Sequence, residues 1–199
     1  MESFLLLPVT MAVPFGHVSN NLVVPIPQII LSQQMNIEAD GFFAFNQAFN
    51  QEAKTLENKA EAIDAYFRSY DMPLEGMGMT MVVEAEKNNL DWRLLAAIAV
   101  NESTGGKFAC KTVTYNSFGW GSCKIGFNSN EEAIATIATN LGGNNPKTSH
   151  HYAGKDTIEI LNSYNPPKIA PKYVGQIMHI MNHFSENLLE IENANTKIA

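Results

Sequence analysis

The sequence predicts a predominantly helical fold with one small irregular or β lobe at about residues 104–129. Apolar residues recur at helical spacing over most of the chain from about residue 43 to 189. Between Gly105 and Asn130 the pattern changes to turn residues, aromatics and β-branched residues, which indicates a long loop or a small sheet of two or three strands. The composition, 45% hydrophobic and 17% charged, is typical of a folded chain. A length of 199 residues suffices for one domain with an extra helix or arm.

Residues 1–40 are predicted to form an extended or disordered segment. The apolar run from Phe4 to Phe15 has about the length of a signal-peptide core, but no Lys or Arg precedes it. It is either a signal peptide whose true start lies upstream or an apolar arm, and the sequence leaves both open. Pro25 and Pro27 interrupt the next apolar run and disfavour a helix there.

Six helices are predicted, and together they define the domain organisation. They span about residues 43–70, 74 or 75 to 88, 91–102, 131–141, 156–164 and 171–189. Asp91 is the predicted N-cap of the third helix, and Gly142-Gly143 ends the fourth. The first helix, within 41–73, is expected to precede a single domain over 74–189, and 190–199 to form a flexible tail.

The charge balance excludes some classes of function. Lys and Arg total 13 against 20 Asp and Glu, a formal net charge of -7, which argues against nucleic-acid binding. No apolar run reaches the roughly 20 residues that a membrane-spanning helix needs. His179 and His183 are spaced i, i+4 on the last helix, but no carboxylate lies between them and no third ligand is obvious, so we interpret them as ordinary helix residues. No metal site and no cofactor are predicted.

Cys110 and Cys123 are predicted to form a disulfide. Both lie in a Gly- and Asn-rich stretch between predicted helices and enclose a short loop, and closing a loop of about 15 residues stabilises a fold by roughly 3 kcal/mol through lost chain entropy. Two unlinked thiols are the alternative. A zinc site is disfavoured because neither a CxxC pair nor a suitably spaced histidine accompanies them. A bridge would place the protein in an oxidising compartment outside the cytoplasm.

Glu102, at the end of the third helix, is the candidate catalytic residue. It follows Leu94 and Ile98 at i+4 spacing and so lies beside an apolar stripe. Partial burial and the negative end of the helix dipole would raise its pKa, which suits a general acid. A solvated surface glutamate is the alternative. Lysines in the following loop would lower that pKa if they lie close: Lys107, Lys111 and Lys124.

Four short motifs in order resemble a known family over roughly residues 75–185. Ala97–Ser103 matches A-x-x-x-x-E-S, Asn116–Gly119 matches N-x-F-G, and Phe127–Ile134 matches F-x-S-x-x-E-A-I. Tyr164–Ile177 is similar to Y-x-x-x-P-x-Y-x-x-K-I, with Gln176 departing from the usual Lys. The chain thus resembles the glucosaminidase branch of the lysozyme-like superfamily, the mannosyl-glycoprotein endo-β-N-acetylglucosaminidase-like domain.

The resemblance implies an α+β, lysozyme-like catalytic domain with a helical lobe and a small β lobe flanking a groove. The implied substrate is the glycan strand of peptidoglycan, cut at a β-1,4 bond next to N-acetylglucosamine. Residue by residue, Glu102 matches the family's general acid, Asn116 and Phe118 its active-site loop, and Tyr164 or Tyr173 its cleft tyrosine. Such a protein would be exported and would act in the periplasm, in the cell wall or outside the cell.

Two further aromatic residues have alternative interpretations. Tyr115 and Trp120 could line a sugar groove, because an aromatic face packs against the apolar face of a pyranose ring. Trp120 could equally belong to the core of the small lobe.

The mechanism is inferred from a missing carboxylate. Hydrolysis by two carboxyl groups needs a second one about 5 to 9.5 Å from the first, and no Asp or Glu lies between Ser103 and Asn130. Glu131 and Glu132 open a helix, where their charge suits the dipole. We therefore expect substrate-assisted hydrolysis through the 2-acetamido group. Lytic transglycosylation, a non-catalytic wall-binding module of the same fold, and a helical adaptor acting through residues 43–70 are the alternatives.

Overall fold

The computed structural model describes residues 39–198, with side chains from 44 to 197. The predicted extended segment 1–40 therefore falls almost entirely outside the described residues. The described part contains eight helices and no β-strand, so the predominantly helical prediction is confirmed and a β lobe is not found there. The helices are α1 (Ala39–Ser69), α2 (Gly78–Lys87), α3 (Leu94–Ser103), α4 (Trp120–Cys123), α5 (Asn130–Leu141), α6 (Ser149–Tyr152), α7 (Thr157–Tyr164) and α8 (Tyr173–Ile198).

Helix α3 is the centre of the core. Its first six residues, Leu94–Ala99, are all buried, so the helix is apolar all round instead of carrying the single stripe that the spacing predicts. Helices α2, α5 and α8 pack against it, and the long helix α1 packs along α2 and α8. Arg93 donates a hydrogen bond from Nη1 to Ser185 Oγ at 2.8 Å, which joins the start of α3 to α8.

Helices α1 and α2 approach closely at Gly78. A Cβ atom on Gly78 would lie 2.3 Å from the carbonyl oxygen of Ala60, so only glycine fits. Asp64 on α1 accepts hydrogen bonds from the backbone N–H groups of Gly76 and Gly78 at 2.9 and 3.0 Å. An α1 side chain thus satisfies free donors at the start of α2.

Four helix boundaries differ from the predicted ones by three residues or more. Helix α1 begins at Ala39 and not at about residue 43, and α2 begins at Gly78 and not at Leu74 or Glu75. Helix α3 begins at Leu94 because Asp91 lies one turn earlier and accepts hydrogen bonds from the backbone N–H and Nε of Arg93. Helix α8 continues to Ile198, so the predicted tail 190–199 is helical over its described residues. Asn195 Nδ2 lies 3.3 Å from Asn58 Oδ1, a contact of that extension with α1.

The segment 104–129 is irregular. It consists of turns and the short α4, in which Gly121 and Ser122 have left-handed φ angles of 62° and 55°. The predicted disulfide between Cys110 and Cys123 is present, with a Cα–Cα distance of 5.4 Å. This segment, which we call the disulfide loop, starts directly after the helix that carries Glu102.

Candidate active site

The end of α3 is fixed by Ser103. Its buried hydroxyl lies 2.6 Å from the carbonyl oxygen of Ser117 and 3.1 Å from that of Ala99, and it accepts a hydrogen bond from Gly106 N–H at 2.9 Å. Thr104 then takes a left-handed conformation, with φ at 53°. The serine of the A-x-x-x-x-E-S motif therefore joins the helix end to the disulfide loop and places Glu102 beside it.

Glu102 is half-buried and has one close polar side-chain partner among the described residues. Tyr173, at the start of α8, donates its hydroxyl hydrogen to Glu102 Oε1 at 2.7 Å. Burial raises the pKa of Glu102 above its ordinary value, and the hydrogen bond from Tyr173 only partly offsets this rise. None of the three loop lysines contributes to the shift; Lys107 donates from Nζ to the carbonyl oxygen of Tyr70 at 2.7 Å. Burial therefore prevails in the competition that the sequence leaves undecided.

An open pocket of about 440 Å³ lies against Glu102. Its wall combines the acid, the disulfide loop and two aromatic residues from α6 and α7. The lining residues are Glu102, Phe118, Gly119, Trp120, Gly121, Ser122, Tyr152, Tyr164 and Asn165. Glu102 is the one carboxylate on this wall in the part of the chain that the structure describes.

Aromatic side chains form one side of the pocket. The ring centroid of Trp120 lies 5.8 Å from that of Tyr164 and 6.5 Å from that of Tyr152. Tyr164 stacks in turn on Tyr173, with centroids 6.1 Å apart and planes 12° apart. Tyr164 also donates its hydroxyl hydrogen to the carbonyl oxygen of Phe118 at 2.5 Å, which connects α7 to the loop.

Asn116 organises the loop from inside. Its side chain is fully buried, donates to the carbonyl oxygens of Trp120 and Ile125 at 2.8 and 2.9 Å, and accepts from Trp120 N–H at 3.0 Å. All of its near partners are loop backbone. Asn116 therefore holds the shape of the loop that the resemblance identifies as the active-site loop, and it is not among the residues that line the pocket.

The glycine of the N-x-F-G motif is required by its distance from the acid. Gly119 has a left-handed φ of 65°, and a Cβ atom there would lie 3.1 Å from Glu102 Oε2. Any side chain at this position would crowd the carboxyl group.

The predicted site residues separate into three groups. Phe118, Trp120 and Tyr164 line the pocket with Glu102, while Tyr173 is almost fully buried and contacts the acid by its hydroxyl. Tyr115 is 48% exposed and is not among the lining residues. Tyr152 was missed because it lies on the one-turn helix α6, too short to show any periodicity.

Of the two glutamates that open α5, Glu132 has structural partners. Glu132 Oε2 accepts from Asn128 N–H at 2.6 Å, and Ser129 Oγ accepts from Glu132 N–H at 3.2 Å, which together cap the helix. Neither Glu131 nor Glu132 lines the pocket.

The described residues contain neither a cluster of three or more metal-binding side chains nor a membrane-spanning helix. No group of three or more His, Cys, Asp or Glu residues that could hold a metal ion occurs between residues 39 and 198. No helix within that range is long and apolar enough to cross a membrane.

Comparison with known proteins gives no match: no family model, no curated protein and no solved structure corresponds to this chain.

Proposed function

We propose that the protein is a glycosidase that cleaves the glycan strand of peptidoglycan, as an endo-β-N-acetylglucosaminidase, with Glu102 as general acid. The observation that carries the proposal is a half-buried carboxyl group of raised pKa at the wall of an open pocket with an aromatic side. A raised pKa keeps the proton on a carboxyl group nearer neutral pH, which is what protonation of a leaving glycosidic oxygen requires. The motif resemblance supplies the substrate class.

The pocket has the parts that a sugar chain requires. Trp120 and Tyr152 offer aromatic faces beside the acid, and such faces pack against pyranose rings. Tyr173 donates to Oε1 of Glu102, so the proton for transfer is on Oε2, the oxygen that lies nearest to Gly119. Because Gly119 has no side chain, a glycosidic oxygen can reach Oε2.

Because Glu102 supplies the one carboxyl group that the described residues place on the pocket wall, the substrate itself must stabilise the oxocarbenium-like state. In the favoured route the carbonyl oxygen of the 2-acetamido group bonds to the anomeric carbon as the glycosidic bond breaks and Glu102 donates its proton to the leaving oxygen. Water then attacks the anomeric carbon of the resulting oxazolinium ion and gives one proton back to Glu102. This step restores the acetamido group and leaves a reducing N-acetylglucosamine end. In the alternative route the muramic 6-hydroxyl attacks and a 1,6-anhydro end forms without net uptake of water.

Digestion of purified peptidoglycan in ¹⁸O-water distinguishes the two routes. Hydrolysis incorporates one labelled oxygen at each new reducing end, and mass spectrometry of the fragments detects it. Unlabelled anhydro-muramic ends would show transglycosylation.

The disulfide supports an exported protein. A bridge between Cys110 and Cys123 persists in oxidising compartments, and peptidoglycan lies in such a compartment. We propose a periplasmic, cell-wall or extracellular location.

Substitution of Glu102 by Gln tests the function. We expect clearing of bacterial walls in a zymogram or turbidity assay to fall by about 10²- to 10⁴-fold, the usual effect of removing a general acid. The matched control is Glu131→Gln, which removes an exposed carboxyl group outside the pocket and should leave clearing unchanged. If the native protein binds bacterial walls but does not clear them, the protein is a non-catalytic wall-binding module and not an enzyme.

A further inference from the structure

A pair of histidines on α8 lies outside the candidate active site. His179 Nε2 and His183 Nε2 are 3.2 Å apart on adjacent turns, and the two rings are nearly perpendicular, at 76°. His183 Nδ1 lies 2.8 Å from Glu186 Oε2. His179 is exposed and His183 is half-buried, so solvent reaches both rings.

Glu186 determines which nitrogen of His183 carries the hydrogen. A carboxylate oxygen only accepts, so in the neutral imidazole Nδ1 of His183 donates to Glu186 and Nε2 presents its lone pair towards His179. A carboxylate on the second ring nitrogen is the arrangement that orients metal-ligating histidines and raises their basicity. The spacing of the two histidines does not by itself predict this carboxylate partner, because Glu186 follows both of them in the sequence.

We propose that His179 and His183 bind one divalent transition-metal ion, such as Ni²⁺ or Zn²⁺, through their Nε2 atoms, with water completing the coordination. Two metal–nitrogen bonds of about 2.0–2.1 Å that meet at about 90–110° place the nitrogens about 2.9–3.4 Å apart. The observed 3.2 Å falls within that range. Imidazole is a suitable ligand for both ions. Because the described residues supply two protein ligands, the site is of the exchangeable kind and not a structural zinc site.

The metal would act on the packing of α8 against α1 and not on the pocket. The His183 ring stacks on Tyr66 of α1, with centroids 6.2 Å apart, and Tyr66 packs edge-on against Phe184 at 5.1 Å. Neither histidine lines the pocket. We therefore expect metal to stabilise the folded protein without any requirement for it in wall cleavage.

Calorimetric titration of the full chain with ZnCl₂ and NiCl₂ tests the site. We expect one site that is weakened at least tenfold by His179→Ala and by His183→Ala, and less by Glu186→Gln. The matched control is the double variant His150→Ala/His151→Ala, which removes two surface imidazoles that are adjacent in sequence. Native-like affinity in both single variants, or an equal loss in the control, would overturn the proposal.

Thermal melting keeps the test informative if a variant is less stable. We expect saturating Zn²⁺ to raise the Tm of the native protein and of the His150→Ala/His151→Ala control by the same amount, and to leave the Tm of His183→Ala unchanged. A pair that is only hydrogen-bonded would lower the Tm on substitution but give no metal-dependent rise in the native protein. That result would also overturn the proposal.

Discussion

The helical body and the disulfide loop are stabilised by different interactions. In the body, helices α1, α2, α3, α5 and α8 meet around fully buried aliphatic and aromatic side chains. The loop has few such residues, and it is held by the amide of Asn116, the hydroxyl of Ser103 and the Cys110–Cys123 bridge. Most of the residues that line the candidate site therefore belong to the disulfide loop, the region that is not organised by apolar packing.

Backbone conformation separates the two regions as well. Left-handed residues in the body include Asp71 and Asn89, types that tolerate this conformation. In and next to the loop they include Thr104, Tyr115 and Ser122, for which it is unfavourable. Such strain persists only where the surrounding contacts fix the conformation, and here it is located beside the pocket.

The largest stability effect is expected in the body, far from the pocket. Ile137 on α5 is fully buried, and Ile137→Ala should lower the free energy of unfolding by about 2–5 kcal/mol through lost burial and a cavity. Urea denaturation measures this. Because the pocket contains no α5 residue, wall cleavage per folded molecule should stay native-like at a temperature where the variant is folded. A proportional loss of specific activity would show that the body and the site are not separable.

The disulfide should affect stability and activity together. Cys110→Ser/Cys123→Ser should lower the free energy of unfolding by about 3 kcal/mol by loop-closure entropy. Activity should fall even where the variant is folded, because Gly121 and Ser122 line the pocket directly before Cys123. To test this, kcat on soluble cell-wall fragments is measured for the double cysteine variant and for Ile137→Ala, under conditions where the same fraction of each variant is folded. Equal kcat in the two variants would mean that the bridge does not hold the site.

The same difference explains what the sequence could predict. Helical spacing gave the existence of α1, α2, α5 and α8 because their apolar faces are buried, and two cysteines in one short loop gave the disulfide. The complete burial of Asn116 could not be predicted, because a motif shows a residue type but not its position in the fold. Whether lysines or burial would control the pKa of Glu102 depended on where Lys107 points, which only tertiary structure determines.

The hydrogen bond from Tyr173 should appear in the pH profile. A general acid works in its protonated form, so activity is lost as pH rises through the pKa of Glu102. The Tyr173 hydroxyl lowers that pKa, so Tyr173→Phe should move the alkaline limb of kcat to higher pH, together with some loss of kcat. The matched control is Tyr164→Phe, whose hydroxyl donates to a backbone carbonyl and not to Glu102. A limb that moves equally in both variants would argue against this role of Tyr173.

The smallest effect expected is a pH-dependent difference in stability, with opposite signs for two glutamates. Burial raises the pKa of Glu102 in the folded state. The folded protein therefore loses stability as pH rises above the ordinary pKa of glutamate, and the loss is complete once pH exceeds the folded-state pKa. Glu102→Gln should therefore melt higher than native protein at pH 7, and the difference should vanish below the ordinary glutamate pKa.

Hydrogen bonding from Ser129 lowers the pKa of Glu131. Its carboxylate thus stabilises the fold above the ordinary value, and that contribution is lost as pH falls through the folded-state pKa. Glu131→Gln should therefore melt slightly lower than native protein at pH 7 and equally at low pH. Melting curves of the three proteins across pH 3 to 8 measure both signs, and a Glu102→Gln variant less stable than native at pH 7 would contradict a raised pKa at the candidate acid.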